Sequence, residues 1–175
     1  MKLRKLVINV KTSTGPYQTA IEFSEGLVVV WADNTKGKSM CVKAIVSVLG
    51  LESMLTTDQK ALPLPPSLTE RLKDENDCDV LVLESDIYLE VDNQNGSIVT
   101  FHRIVKPSDS DKISNVITVY KGPILTAPGS NCEKHDFYVN RKGAAKGPVG
   151  FHHFLAQFLG WSLPNVAKYD GDDCI

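Results

Sequence analysis

The sequence predicts an α/β fold in which a mixed core sheet is accompanied by an antiparallel β subdomain. The first observation is a short apolar run, 27–31, that is followed by a polar loop and then by a helical pattern. The second is a pair of alternating segments ahead of that run, and the third is a group of short alternating segments within 78–140. With 175 residues, the chain has a suitable length for one domain.

Apolar and polar residues alternate in two segments at the start of the chain. Leu3 to Val10 is predicted to be a half-buried strand, and Tyr17 to Phe23 is predicted to be a second strand. The residues between them, 11–16, are rich in Thr, Ser, Gly and Pro, which favour a turn. We therefore expect an antiparallel hairpin here.

A strand and a helix are predicted next. Leu27 to Trp31 is a mostly β-branched run that Gly26 precedes, which is typical of a strand covered on both faces. After Ser39, apolar residues recur at intervals of three and four and would form one helical face, namely Val42, Ile45, Val46 and Leu49. Gly50 stands where such a helix commonly ends.

The loop between this strand and helix, 32–39, reads ADNTKGKS. It is the phosphate loop G-x-x-x-x-G-K-[ST] with Ala32 in place of the first glycine, which strains the loop if that position needs a positive φ and fits if it is extended. Backbone N–H groups and the helix dipole would bind phosphate, Lys38 would reach the β- and γ-phosphates, and the Ser39 hydroxyl would bind the magnesium ion. The predicted nucleotide-binding residues are Asn34, Thr35, Lys36, Gly37, Lys38, Ser39 and Met40.

The remaining chain is divided into four parts. The first part, 51–77, is a connection with a short helical piece, a proline-rich stretch and one capped turn from Ser67 to Leu72. The second, 78–140, is predicted as antiparallel strands with a hairpin turn at 93–96. A helix is predicted over 149–160, followed by an acidic tail, 161–175, and its apolar face comprises Phe151, Phe154, Leu155, Phe158 and Leu159.

Composition narrows the classes of function. A net charge of -2 gives no general attraction to nucleic acid or membrane, although Lys2, Arg4, Lys5 and Lys11 could form a small basic patch. The four cysteines are scattered without metal-ligand spacing, which favours reduced thiols. There is no signal-peptide pattern and no run long enough to span a bilayer. We therefore expect a cytoplasmic protein without a membrane partner.

The order of these motifs resembles the N-terminal lobe of the ABC-type ATPase head found in SMC, RecF and RecN proteins. Asn34 and the sequence from Gly37 to Ser39 match that family's loop G-x-N-G-x-G-K-[ST], whereas Ala32 and Thr35 depart from it. Leu89 to Arg103 is similar to the hairpin that follows in the family, and Tyr138 to Gly143 is similar to its later turn.

The resemblance implies ATP and Mg²⁺ as ligands, and an ATP-dependent dimer whose second head or missing C-terminal lobe completes the site. It also implies DNA as a partner of the whole protein, in repair, chromosome maintenance or defence. The family's Walker B pattern, signature motif and coiled coil are not found in this sequence. We therefore expect a fragment of a larger ATPase or a split half-head, inactive alone, whose catalytic residues are unknown.

Two other interpretations remain open. The chain could be a small P-loop kinase, for which Glu84 would supply an acidic residue and Arg103 and Arg141 would supply a lid. It could also be a non-catalytic interaction domain whose phosphate loop has decayed, as Ala32 and Thr35 permit.

Overall fold

The computed structural model describes residues 1–31, 37–52, 64–93, 95–109, 115–129, 131–139 and 150–161. Its strands are β1 (Lys2–Thr12), β2 (Gly15–Glu22), β3 (Arg71–Lys73), β4 (Asp79–Asp92), β5 (Ile98–Lys106), β6 (Val116–Tyr120) and β7 (Lys134–Tyr138). Its helices are α1 (Lys38–Val48), α2 (Pro66–Thr69) and α3 (Phe151–Leu159).

The described strands form one sheet in the order β2-β1-β4-β5-β6-β7, and β3 pairs with one end of β4. Every one of these pairs is antiparallel. The structure is therefore a mostly antiparallel sheet with few helices, and the described residues do not form the mixed core sheet that was predicted.

The N-terminal hairpin is confirmed, and it joins the sheet of the later strands. β1 and β2 pair from Lys5 opposite Glu22 to Thr12 opposite Gly15. The other edge of β1 pairs with β4, where Leu6 lies opposite Leu89 and both side chains are fully buried. The hairpin and the antiparallel region thus bury apolar side chains on the same face of one sheet.

The predicted buried strand at 27–31 is wrong. This segment has no strand structure, and Leu27, Val29 and Trp31 are 88%, 73% and 85% exposed. A buried strand needs neighbouring strands that satisfy its backbone hydrogen bonds and faces that cover its side chains. In the part of the chain that the structure describes, no strand pairs with this segment, and most of its apolar side chains remain in solvent.

Helix α1 is confirmed, and its predicted apolar face is buried in part, since Leu49 lies in the core cluster and Ile45 packs against it. The buried residues within α1 are Ala44, Ser47 and Val48, whereas Val42 is 62% exposed. Ala44 and Val48 are four residues apart and face the core cluster of the sheet, where small side chains permit a close approach. The helix ends before Gly50, whose φ of +65° is left-handed and suits glycine.

Helix α3 follows its predicted pattern. Phe151 and Leu155 are buried in the core, and the remaining predicted residues, Phe154, Phe158 and Leu159, pack against it. Gly160 ends the helix with a φ of +65°. The same face of the sheet therefore receives the apolar side of α3 as well as that of α1.

A chain of polar contacts crosses the opposite face of the sheet. Gln18 Nε2 donates to Asn9 Oδ1 at 2.8 Å, and Asn9 Nδ2 donates to Asp86 Oδ1 at 2.7 Å. The other oxygen of Asp86 lies 3.1 Å from His102 Nε2. The ring of Tyr88 stacks on His102, with ring centroids 4.0 Å apart. Tyr88 is thus held half-buried beside a carboxylate.

Because of this environment, we expect the ionisation of Tyr88 to make the free energy of unfolding depend on pH. Burial, followed by the charge of Asp86 and the neighbouring Tyr120, raises the pKa of Tyr88 to about 12. Its ordinary pKa is about 10, so the folded state keeps the neutral phenol while the unfolded state already ionises. The associated stability is present below pH 10 and is lost as the pH rises through 12.

We expect the free energy of unfolding, measured in urea, to fall more steeply above pH 10 in the wild type than in Tyr88→Phe. The two proteins share every other titrating group, so their difference isolates this phenol. Parallel curves would contradict the assignment.

Candidate phosphate-binding site

The candidate site is the first turn of α1, which Gly37 precedes. Gly37 has a φ of +87°, a left-handed conformation that side chains with a Cβ rarely adopt. Its carbonyl accepts hydrogen bonds from the N–H groups of Met40 at 3.0 Å and Cys41 at 3.2 Å. A Cβ at Gly37 would meet only the end of Met40, at 3.8 Å, so the backbone angle and not crowding requires the glycine.

Four of the predicted binding residues are brought together at this turn. Lys38 and Ser39 open the helix, with Lys38 half-buried and Ser39 exposed. Met40 is half-buried, and its Sδ accepts a hydrogen bond of 3.2 Å from Ser67 Oγ, which links α1 to α2. Asn34, Thr35 and Lys36, with Ala32, lie outside the described residues.

The charge at this turn suits an anion. The first turn of α1 contains no acidic residue, so the partial positive charge at the helix N-terminus is not offset there. Burial raises the pKa of the Cys41 thiol, which therefore stays protonated and uncharged at neutral pH. The first turn thus offers a lysine, a hydroxyl and helix N–H groups, and none of the turn's own side chains is acidic.

The basic patch near the N-terminus is not supported. Lys2 Nζ lies 2.7 Å from a carboxylate oxygen of Glu25, and Lys5 Nζ lies 3.0 Å from one of Glu22. Arg4 Nε lies 3.2 Å from the buried carboxylate of Glu90. Three of the four predicted cations are therefore paired within the protein.

The structure also argues against the lid suggested for a kinase. Arg103 is 1% exposed and forms an ion pair with Glu52, so it cannot reach a bound phosphate from solvent. Arg141 lies outside the described residues. The sequence does contain a signal for the burial of Arg103, since it alternates with Val99, Phe101 and Val105 on the core-facing side of β5.

The described residues offer neither a membrane span nor a metal-binding cluster. None of their helices is long and apolar enough to cross a bilayer. They also contain no group of three His, Cys, Asp or Glu side chains that could hold a metal ion. Any magnesium at the α1 turn would therefore depend on a bound nucleotide for most of its ligands.

Comparisons with known proteins yield only distant structural likenesses. No family model and no curated protein matches the chain. The solved structures similar to it include one described with the ATP-driven dimerization and DNA-stimulated activation of SMC ATPases. That similarity covers 68% of each chain, with 20% sequence identity and a TM-score of 0.42. The function of the chain is therefore inferred from its own residues.

Proposed function

We propose that the chain binds ATP with Mg²⁺ at the first turn of α1, as part of an SMC/RecF-like ATPase that acts on DNA. The observation that carries the proposal is the placement of Lys38 and Ser39 directly after a left-handed Gly37 at the start of an 11-residue helix. This combination supplies a cation, a hydroxyl and the helix dipole at one point, as phosphate binding requires.

Each residue has a distinct part in this proposal. The N–H groups of the first turn would bind a phosphate oxygen, and the Lys38 ammonium would neutralise charge on the β- and γ-phosphates. The Ser39 hydroxyl is exposed at the same turn and would be one ligand of a magnesium ion that bridges those phosphates. When bound, that ion withdraws negative charge from the phosphate oxygens. Asn34, Thr35 and Lys36 would complete the loop around the nucleotide.

The exposed apolar segment that precedes the site in the sequence is the basis for proposing partners. Leu27, Val29 and Trp31 are largely in solvent, and they directly precede the loop that begins at residue 32. Exposed apolar runs of this kind mark interaction surfaces. We propose that a C-terminal lobe or a second head covers this segment and supplies the groups needed for hydrolysis, with DNA as the partner of the assembled ATPase.

The proposal is tested by titrating the chain with ATP in the presence and absence of Mg²⁺, using calorimetry. We expect Lys38→Ala to weaken binding about tenfold to hundredfold, because it removes a charge-assisted contact worth about 1.5–3 kcal/mol. Lys43→Ala is the matched control, since Lys43 lies on the same helix one turn beyond the site.

Two results would contradict the proposal. One is an affinity for ATP that Lys38→Ala and Lys43→Ala leave equally unchanged. The other is a folded wild-type chain that does not bind ATP even when the partner lobe is supplied, which would favour a decayed loop in an interaction domain.

A further inference from the structure

The C-terminal end of α1 is fastened to the sheet by a buried ion pair. Arg103 on β5 donates from one guanidinium nitrogen to a carboxylate oxygen of Glu52 and to the carbonyl oxygen of Ser47. The Arg103 and Glu52 side chains are 1% and 8% exposed. Since Ser47 belongs to the last turn of α1, the guanidinium also lies at the negative end of the helix dipole.

A second contact fastens the same end of the helix. His152 of α3 forms a hydrogen bond of 3.0 Å with the carbonyl oxygen of Gly50. A Cβ at Gly50 would come within 3.1 Å of Val139 and 3.4 Å of Ile117, so the turn after α1 lies directly against the sheet. Side chains from β5, β6 and α3 therefore converge where α1 ends.

Near its N-terminal end, α1 packs against the core through the partly buried side chains of Met40 and Cys41. Ser39 is exposed, Val42 is 62% exposed, and the contact between Met40 and Ser67 is a weak hydrogen bond to sulfur. From Lys38 to Val48 the helix is about 15 Å long, so a tilt of about 10° at its C-terminal end would move its first turn by about 3 Å. The contacts of Arg103 and His152 thus hold α1 at the end remote from the proposed phosphate-binding residues.

We infer that Arg103 and Glu52 are positioning residues, which fix the tilt of α1 and so place Lys38 and Ser39 for phosphate binding. This inference rests on the proposed function for its consequence and on the contacts above for its geometry. Because phosphate contacts depend on placement within about 1 Å, a shift of the helix weakens them without altering the binding residues.

The chemistry of the pair favours a geometric role over a stabilising one. Glu52 Oε2 and Ser47 Oγ are buried without a hydrogen-bond partner in the described structure, which costs free energy. Apolar side chains of similar volume at residues 103 and 52 avoid the cost at Glu52. Replacing a buried ion pair in this way is often neutral for stability. What these apolar side chains lack is a directional bond to the helix carbonyl.

The double variant Arg103→Met/Glu52→Leu tests the inference, because it removes the pair and leaves no unpaired buried charge. Arg4→Met is the matched control, since it removes an arginine from the carboxylate of Glu90, whose other partners, Leu125 and Thr126, lie in the loop after β6. Arg103→Lys is the conservative variant, which keeps the charge beside Glu52. All are compared with the wild type under conditions where unfolding in urea shows each to be folded.

Two measurements are made on each protein. Amide chemical shifts of Met40 and Cys41 report the first turn without nucleotide, and calorimetry reports the affinity for ATP with Mg²⁺. We expect the double variant to shift both amides and to lose about tenfold in affinity. We expect Arg103→Lys to stay within about threefold of the wild type, and Arg4→Met to change stability alone.

Unchanged amide shifts in the folded double variant would overturn the inference, whether or not ATP binds. Equal losses of affinity in the double variant and Arg4→Met would also overturn it, because they would show an effect of stability only. If the double variant does not fold, Arg103→Met takes its place and is compared with Arg103→Lys. Equal amide shifts in these two variants would overturn the inference. If the double variant shifts both amides but the wild type does not bind ATP even with the partner lobe supplied, the positioning of α1 is supported and the proposed function is rejected.

Discussion

Replacing Glu90 with leucine should lower the free energy of unfolding by about 3–5 kcal/mol. Glu90 on β4 is fully buried beneath the loop that follows β6. The N–H groups of Leu125 and Thr126 each donate to its Oε2 at 3.1 Å, and Thr126 Oγ1 donates to its Oε1 at 2.6 Å. Leucine accepts no hydrogen bond, so these donors would lose their partner.

Most of this loss of stability should come from the hydrogen bonds to the loop, and little of it from the ion pair with Arg4. Arg4 is 37% exposed, so water can solvate its guanidinium when the carboxylate is removed. The two backbone N–H groups have no such alternative while the loop stays in place. Because Thr100 Oγ1 also donates to the carbonyl of Gly122, the loop would remain attached at one end and open at the other.

Chemical denaturation of Glu90→Leu and Glu22→Leu provides the measurement and its control. Glu22 makes an exposed ion pair with Lys5 on the neighbouring strands, and its side chain is 78% exposed. We expect less than about 0.5 kcal/mol for this change. Glu90→Gln keeps one acceptor oxygen and should cost about 2 kcal/mol. Similar losses at residues 90 and 22 would show that the buried contacts are not what stabilises the loop.

The sequence predicted secondary structure correctly where a segment's apolar periodicity results from packing of one of its faces on the core. β1 and β2 alternate because one face of the hairpin packs on the core, and α3 shows its apolar stripe because that stripe covers the sheet. The run at 27–31 is different, since its apolar character indicates what the segment can bury but not what covers it. In the described structure only Val28 of this run is half-buried, and its other side chains are exposed.

The candidate site divides in a similar way. Gly37, Lys38 and Ser39 could be proposed from the sequence because the phosphate-loop pattern consists of consecutive residues at the start of a helix. The structure confirms the start of the helix there, and phosphate binding stays a prediction. The partners of Arg103 and Glu90 could not be predicted, because each contact joins parts of the chain that are far apart in sequence, as in the 36 positions between Glu90 and Thr126. Only the fold brings such groups together, and a charged residue within an alternating strand is the one local sign of them.

Replacing Phe101 with alanine should destabilise the protein by about 3–5 kcal/mol, and the effect should be concentrated at α3. Phe101 is fully buried at the middle of β5. Its ring makes edge contacts with Phe151, Phe154 and Phe158, at centroid distances of 5.4, 6.5 and 6.5 Å. One side chain therefore contacts three residues spread along most of the length of a nine-residue helix.

A helix this short is marginal without packing, so loss of the Phe101 ring should release α3 before the sheet unfolds. Hydrogen exchange should thus accelerate more at the amides of α3 than at those of β1. This strand is separated from β5 by β4. Phe101→Leu retains much of the buried volume and should cost less than about 1.5 kcal/mol. If exchange in Phe101→Ala accelerates equally in α3 and β1, then α3 and the sheet unfold together, and the helix is held by more than this aromatic cluster.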